Sequence, residues 1–415
     1  MKDNMKKKTL YSLLLILSFF LSLSGCAHLR RSVPEDLINK VVVAGMPNVC
    51  SYIDNPSIPF MSESLINSFK EEDKQDYVVD GVKNYPALII SGGVSNSAYG
   101  VGFLKGWSKE GSRPVFKIVT GVSSGGIVAI FAFLGKDYDD ELEELFTSIS
   151  TKDIVEQKNM FLSLLFGDSL MSSKPLAKKI EKVIDDKLLA KIAEEHKKGR
   201  RLYIGTTDLD AQRFVIWDMG AIASIGGNDS IKMFHKIVLA SCALPIIVSP
   251  VYFNVEADSK NYEEMHADGA ATTGIFYIYQ LLESMECASH ACIIDPGKFR
   301  SRLYVLCCSN LAPHSQQVGG SLVAIASRAL DTYGSAKMLG ETYRIYTFAK
   351  EKEWDYNLAY IPDDFPPAQK EMFDKQEMHR LFNRGYEDAL KGYKWHKTPP
   401  GLIVNNKWDI PKKAE

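Results

Sequence analysis

Residues 116–130, FKIVTGVSSGGIVAI, constrain this chain more than any other stretch. Phe116 to Val119 are mostly β-branched or aromatic, as a buried strand requires. Ile127 to Leu134 form an apolar run, with Ala129 and Ala132 inside it, that suits a buried helix. Between the two lies Gly121-Val122-Ser123-Ser124-Gly125. A strand passing through Gly-x-Ser-x-Gly into a helix must turn sharply. The glycines let the turn tighten and the helix pack close, and the Ser123 hydroxyl projects at the helix N-terminus. That geometry suits a nucleophile; without catalytic partners it is a glycine-rich βα turn.

The flanking chain repeats the pattern. Pro86 to Ser91 reads as a strand, SGGVSNSAYG as a loop, Val101 to Glu110 as a helix and Phe116 to Thr120 as the next strand. Two strands joined by one short helix imply a parallel pair and an α/β sheet. Residues 138–200 read as mainly helical, with Leu176, Ile180, Val183 and Ile184 on one face. LYIGTTDLDAQRFVIWDM reads as two strands around a turn, MFHKIVLASCALP as a helix stopped by Pro245, and SRLYVLCCSN as another buried strand. Amphipathic helices return from Gly319 to about Lys350 and from Asp374 to Lys391. The apolar segment Met160 to Phe166 fits core packing better than a lipid-facing entrance.

Hydroxyl chemistry needs a place for negative charge and a base. Gly92-Gly93-Val94 follows the preceding strand, so its backbone N–H groups can sit beside Ser123 and stabilise an oxyanion. A phosphate cradle is excluded, since no Gly-Lys-Ser/Thr ending follows, and a dinucleotide loop lacks its Gly-x-Gly-x-x-Gly. The usual base is a histidine oriented by a carboxylate, and His290, His314, His379 or His396 could supply it in a Ser-His-Asp arrangement. A separate signal is HADGAATTG, which places Asp268-Gly269-Ala270 after a polar turn, 145 positions on from Ser123. Asp-Gly alone is a common turn dipeptide.

Taken together, Gly92-Gly93-Val94, Gly121 to Gly125 and Asp268-Gly269-Ala270 resemble, in that order, the motifs of the patatin-like acyl hydrolases. GTTDLDAQRFVIWD and ASCALPIIVSPVYF look like that family's middle strands and its Ala-Ser-x-x-x-Pro segment, so the resemblance covers roughly residues 85–310. It implies a three-layer α/β/α fold with a mainly parallel central sheet and a helical C-terminal extension. It also implies a Ser123–Asp268 dyad, oxyanion donors at Gly92, Gly93 and Val94, a nucleophile elbow framed by Gly121 and Gly125, and no cofactor or metal. The implied substrate is a lipid acyl ester at a membrane surface, and the implied activity is phospholipase A-like. His266 would share a strand face with Asp268, at a position the family pattern leaves free. The chain departs from the pattern at Val94, where a third glycine is usual, at Asn96, often basic, and at Ser97, often glycine. These departures favour a second alternative, a scaffold that kept the fold and lost the activity.

Compartment is written at the N-terminus. Lys2 and Lys6 to Lys8 precede an apolar run from Leu10 to Leu23, too short to span a membrane comfortably and shaped like an export signal. It ends in Leu23-Ser24-Gly25-Cys26, which resembles the bacterial lipoprotein signal, where the cysteine is lipidated and becomes the new N-terminus. Ordinary signal cleavage beside a chance cysteine is the alternative. With the C-terminal LFNRGYEDALKGYKW, the whole resembles the bacterial patatin-like lipoproteins. The expected organisation is a signal at 1–25, a little-structured tether at 26–80, a catalytic domain at 81–312 and a helical extension at 313–415 packed on it. Ala27 after the cysteine points to the outer membrane in a cell that has one.

Charge and cysteines agree with this reading. A net charge of -2 on 415 residues gives nucleic acid no basic footprint, and the basic run Lys197 to Arg201 reads as a solvated loop. Of the seven cysteines, Cys287 and Cys292 are placed to pair in an oxidising compartment, whereas Cys307 and Cys308 sit in an apolar strand as buried thiols. No cysteine or histidine spacing matches a zinc site.

Overall fold

The computed structural model describes residues 30–55, 59–73, 75–159, 163, 167–278, 299–366 and 371–402. Cys26, Cys287, Cys292, His290 and most of the 160–166 segment lie outside them. The N-terminal part supplies β1 (Val42–Val43), β2 (Cys50–Tyr52), a helix (Pro59–Glu71) and β3 (Val78–Val79). Then β4 (Val82–Ile90) leads into the helix Ser97–Glu110, and β5 (Ile118–Val122) leads into the helix Ser124–Leu134. Short β6 (Glu156–Gln157) and β7 (Met171–Ser172) pair with each other amid helices. They are followed by β8 (Arg201–Asp208), β9 (Arg213–Asp218) and the helix Gly227–Ser241. Next come β10 (Val251–Ala257), β11 (Lys260–Asp268) and β12 (Phe299–Cys307). The helix Leu322–Glu351, β13 (Asp355–Tyr360) and the helix Lys375–Leu390 complete the order.

Five strands run parallel in the order β13-β12-β4-β5-β8, so their carboxyl ends form one rim. Side chains alternate across the sheet with the period of a strand. Leu88, Ile90, Val119, Leu202, Ile204 and Leu306 enter one apolar layer, which holds the helix after β5. Ala87, Ile89, Ile118, Tyr203, Val305 and Leu358 enter the other, beneath the helices Pro59–Glu71 and Leu322–Glu351. Burial on both faces explains why these strands read as continuous apolar runs. The α/β sheet with a helical layer on each side is the fold class expected from the sequence.

β8 is the junction of the sheet. Along one edge it pairs antiparallel with β9 from Tyr203 to Asp208. Along the other, residues 201–205 pair with β5, and residues 206–208 pair antiparallel with the end of β11. β11 thereby brings Asp268 opposite Thr206, immediately past the last residue of β5.

Three expectations are corrected. Residues 26–80 were expected to be a tether, but β1 pairs with β10, β2 pairs with β9, and Met61 and Leu65 are fully buried in the core. Unpaired strand edges at β9 and β10 invite association, and the N-terminal strands cover them. The 313–415 segment is not wholly helical, because Asp355–Tyr360 extends the parallel sheet beside β12. One sheet therefore draws strands from residue 42 to residue 360, across the expected boundary at 312. The helix before β5 begins at Ser97, not Val101, because a 3-10 turn (Val94–Asn96) feeds directly into it.

The last helix is locked onto the helix Ser97–Glu110 by backbone approach. A Cβ at Gly102 would lie 1.9 Å from the Phe382 carbonyl oxygen, and one at Gly385 2.1 Å from that of Tyr99. Neither distance tolerates a methyl group. By contrast, Gly340 has nothing within 4 Å of its missing Cβ and sits inside a helix. Gly102→Ala should therefore lose about 1–3 kcal/mol by overpacking, whereas Gly340→Ala should gain up to about 1 kcal/mol from helix propensity. Urea unfolding of the two variants beside wild type reads both signs.

Candidate active site

Ser123 stands where β5 ends and the helix Ser124–Leu134 begins, with φ 57° and ψ −137°. Positive φ is costly for a residue carrying a side chain, so the turn must be held from outside. Two hydrogen bonds hold it. The Gly126 N–H donates to the Ser123 carbonyl at 2.8 Å. The Ser123 N–H donates to Ser241 Oγ at 2.9 Å, and that hydroxyl donates to the Gly205 carbonyl at 2.8 Å. The close packing read from the glycines is present: a Cβ at Gly125 would lie 2.2 Å from the Ser91 carbonyl oxygen, and one at Gly121 2.4 Å from that of Gly125. Ser123 itself is only 6% exposed.

The loop after β4 lies against this turn. A Cβ at Gly92 would be 3.4 Å from Ser123 Oγ, which places the Gly92 backbone beside the hydroxyl. Ser91 braces the loop to the end of β12, since Cys308 N–H donates to its Oγ at 2.8 Å. Val94 has φ 53°, the left-handed conformation that a third glycine would adopt freely and a β-branched residue adopts at a cost. Gly93 differs from expectation. Its N–H donates to Ser124 Oγ at 3.1 Å, and that hydroxyl shares a 2.7 Å hydrogen bond with Ser97 Oγ. The donor expected at Gly93 is thus engaged by a neighbouring serine, and Ser97, one of the departures from the family pattern, supports that arrangement.

Asp268 ends β11 and is fully buried. Its backbone is tied on both sides, with N–H donating to the Ala243 carbonyl at 2.8 Å and its own carbonyl accepting from Thr207 Oγ1 at 3.0 Å. Oδ1 accepts from the Ala270 N–H at 2.8 Å, whereas Oδ2 has no hydrogen-bond partner. Burial pushes the carboxyl pKa up to about 6; the Ser123 hydroxyl, the Ala270 N–H and the Lys337 charge oppose that rise. The hydroxyl is thus close enough to act on the carboxyl electrostatically, yet Oδ2 is left without a well-formed bond. Catalytic hydrogen bonds are often long in a free enzyme and tighten on the substrate.

The residues ASCALP do what their sequence alone did not disclose. Ser241 holds the turn under Ser123, Ala243 anchors the Asp268 backbone, and Cys242 lines the adjoining cavity. Burial and the Asp268 charge push the Cys242 thiol up, so it stays protonated. The signal available was the likeness of this segment to a family motif, which carries no role until the fold brings it beneath Ser123.

A narrow apolar cavity opens from Ser123 and Val94. Its walls include Ile127 and Phe131 of the helix after Ser123, Phe146, Ile180, Val248 and Phe373. This lining suits an apolar group. His266 does not reach it. Its Nδ1 pairs with Thr206 Oγ1 at 2.9 Å and its Nε2 with Glu264 at 3.1 Å, and the ring packs 4.7 Å from Phe253. Among the described residues no histidine hydrogen-bonds Ser123 or lines the cavity. Asp208, Glu264 and His266 cluster closely enough to ligate a cation, but the Tyr52 hydroxyl already bonds both carboxylates and Thr206 holds the imidazole. No helix among the described residues is long and apolar enough to cross a membrane.

Residues 88–277 match the Patatin family, described as patatin-like phospholipase. No curated protein matches the chain. Among solved structures, VipD from Legionella pneumophila aligns at 10% identity with a TM-score of 0.38, covering 74% of this chain. The alignment spans 66% of VipD, just under two thirds of that protein.

Ser241 generates a direct expectation. Ser241→Ala leaves the Ser123 N–H and the Gly205 carbonyl unsatisfied in a buried position, a loss of about 1–3 kcal/mol. The loosened turn should also slow acylation of Ser123 by a fluorophosphonate, about tenfold or more. Denaturation midpoints and labelling rates of the purified variant check both parts.

Proposed function

With a patatin-like phospholipase domain across residues 88–277 as the premise, we propose that the protein is a lipid acyl-ester hydrolase working through Ser123 and Asp268. The observation that carries the reading is the unpartnered Oδ2 of a fully buried Asp268, in electrostatic contact with the hydroxyl of a strained, cavity-facing serine. Ser123 Oγ attacks the ester carbonyl while its proton passes to Asp268 Oδ2. The resulting oxyanion meets the backbone N–H groups of Gly92 and Val94 at the positive end of the helix Ser124–Leu134. Gly93 N–H joins them only if its bond to Ser124 is given up. Collapse returns the proton to the departing alcohol and leaves an acyl-Ser123. A water, deprotonated by the same carboxylate, then releases the acid. The acyl chain occupies the apolar cavity, where the only other polar anchors for a headgroup among the described lining residues are Ser124 and Lys179. That favours a long-chain lipid ester, including the phospholipase A-like case.

A carboxylate with a pKa near 4 is a poor base at neutral pH, and burial corrects this. Because Asp268 must be ionised to accept the proton, kcat/KM should fall with an acidic limb near pH 6, its folded-state value. Ser123→Ala and Asp268→Asn should each cut ester hydrolysis to near background and should not be additive. Single substitutions of His290, His314, His379 and His396 should leave most activity. A late-histidine variant as inactive as Ser123→Ala would replace the dyad with a triad. Wild-type protein without turnover on short- or long-chain esters would favour the scaffold reading.

The same proposal includes anchoring through lipidated Cys26, which would hold the site at a membrane surface outside the cytoplasm, the outer membrane where one exists. It rests on the sequence Leu23-Ser24-Gly25-Cys26. Metabolic labelling with an alkynyl palmitate should mark wild type and not Cys26→Ser; equal labelling of the two removes the anchor.

A further inference from the structure

The loop that carries Asp268 is gripped by a helix outside the family-matched segment. Lys337 and Glu341 sit one turn apart on the helix Leu322–Glu351, beyond residue 277. Lys337 Nζ donates to the Ala270 carbonyl at 2.6 Å. The N–H on the other side of the same residue donates to Asp268 Oδ1 at 2.8 Å. Glu341 accepts from the Gly274 N–H at 2.9 Å through Oε2 and from the Ile275 N–H at 3.0 Å. Residues 269–275 are therefore held at two points, one directly behind the carboxylate and one at the exit of the loop. The two side chains are 4.0 Å apart at their charges, and both are largely buried. Lysine placed N-terminal to glutamate is the weaker i,i+4 order for helix stability. Their partners on the loop account better for the placement than helix stabilisation does.

We propose that Lys337 is a positioning residue for Asp268, aiming the carboxylate at Ser123 through the Ala270 peptide and supplying a cation near it, with Glu341 holding the loop in register. This rests on the Ser123–Asp268 reading above. The groups facing Asp268 are the Ser123 hydroxyl from the β5 turn, the Cys242 thiol from the segment after the helix Gly227–Ser241, and Lys337 from the C-terminal helix. Lys337 in turn faces Glu341 and Arg344. Among the described residues facing Asp268, Lys337 is the only cation, and its charge favours the ionised carboxylate, in agreement with its lowering effect on the Asp268 pKa. Removing that charge raises the Asp268 pKa, so the acidic limb of activity must move to higher pH.

The test uses full-length protein carrying Lys337→Met or Lys337→Arg, with kcat/KM against pH on an acyl ester, the rate of fluorophosphonate labelling at Ser123, and thermal denaturation. Lys337→Met should move the acidic limb up by roughly half a pH unit or more, and lower kcat/KM at neutral pH several-fold. Lys337→Arg, which keeps charge and donor, should restore both. A Lys337→Met limb coincident with wild type overturns the proposal, as does Lys337→Arg behaving like Lys337→Met with only the denaturation midpoint lowered. If Lys337→Met does not fold, Lys337→Gln, which keeps a donor for the Ala270 carbonyl but removes the charge, decides: its acidic limb should rise, and a limb coincident with wild type overturns the proposal. Failure of the underlying dyad reading looks different: Asp268→Asn would stay active and wild type would show no acidic limb near pH 6.

Discussion

Everything at this site depends on β8 serving two partners along one edge. β5 stops pairing at Gly205, and from Thr206 onward the edge is taken by β11 running the other way. The carboxyl end of a parallel strand and the carboxyl end of an antiparallel one therefore meet at the same place, and they bring Ser123 and Asp268. Neither residue could reach the other if β5 continued along β8. The loop after β4, parallel to β5, arrives at the same rim. The cavity opens there because the helix after Ser123 begins immediately and directs Ile127 and Phe131 beneath it.

The assembly costs stability. Ser123 and Val94 both hold positive φ, and the Asp268 carboxyl is buried with one oxygen unpartnered. The folded-state pKa of Asp268, about 6, stands above its ordinary 3.8, so the folded protein holds this proton more tightly than the unfolded chain. Stability from this group is fully present below pH 3.8 and is lost as pH rises through 6, a cost of about 3 kcal/mol at neutral pH. The surrounding structure offsets it with apolar packing on both sheet faces and with the bonds from Ser241, Ala243 and Ala270. Strain concentrated at a site and compensated elsewhere is the usual signature of function.

The parts legible in the sequence were the local ones. The β5 turn announces itself because strand, glycines and helix are contiguous, and Asp268-Gly269-Ala270 became readable through its order relative to that turn. The role of Ser241 was hidden, since its partner is 118 positions away and a serine near a helix end is unremarkable in sequence. Lys337 was hidden for the same reason, 67 positions from Ala270 in a helix that reads as an extension. The N-terminal strands were missed because two or three residues among prolines make no periodic signal, and their pairing is dictated by the edges they cover. Val94 was legible as a departure, but only the backbone shows that it occupies the left-handed conformation and that the Gly93 N–H is engaged by Ser124.

The central claim is that one buried carboxylate activates one strained serine. It is tested most directly by reacting the purified protein with a fluorophosphonate across a pH series and mapping the adduct by mass spectrometry. The account predicts a single adduct on Ser123, formed faster as pH rises through about 6, the Asp268 value, and lost in Asp268→Asn. An adduct on another residue, or Ser123 labelled at the wild-type rate in Asp268→Asn, would contradict it.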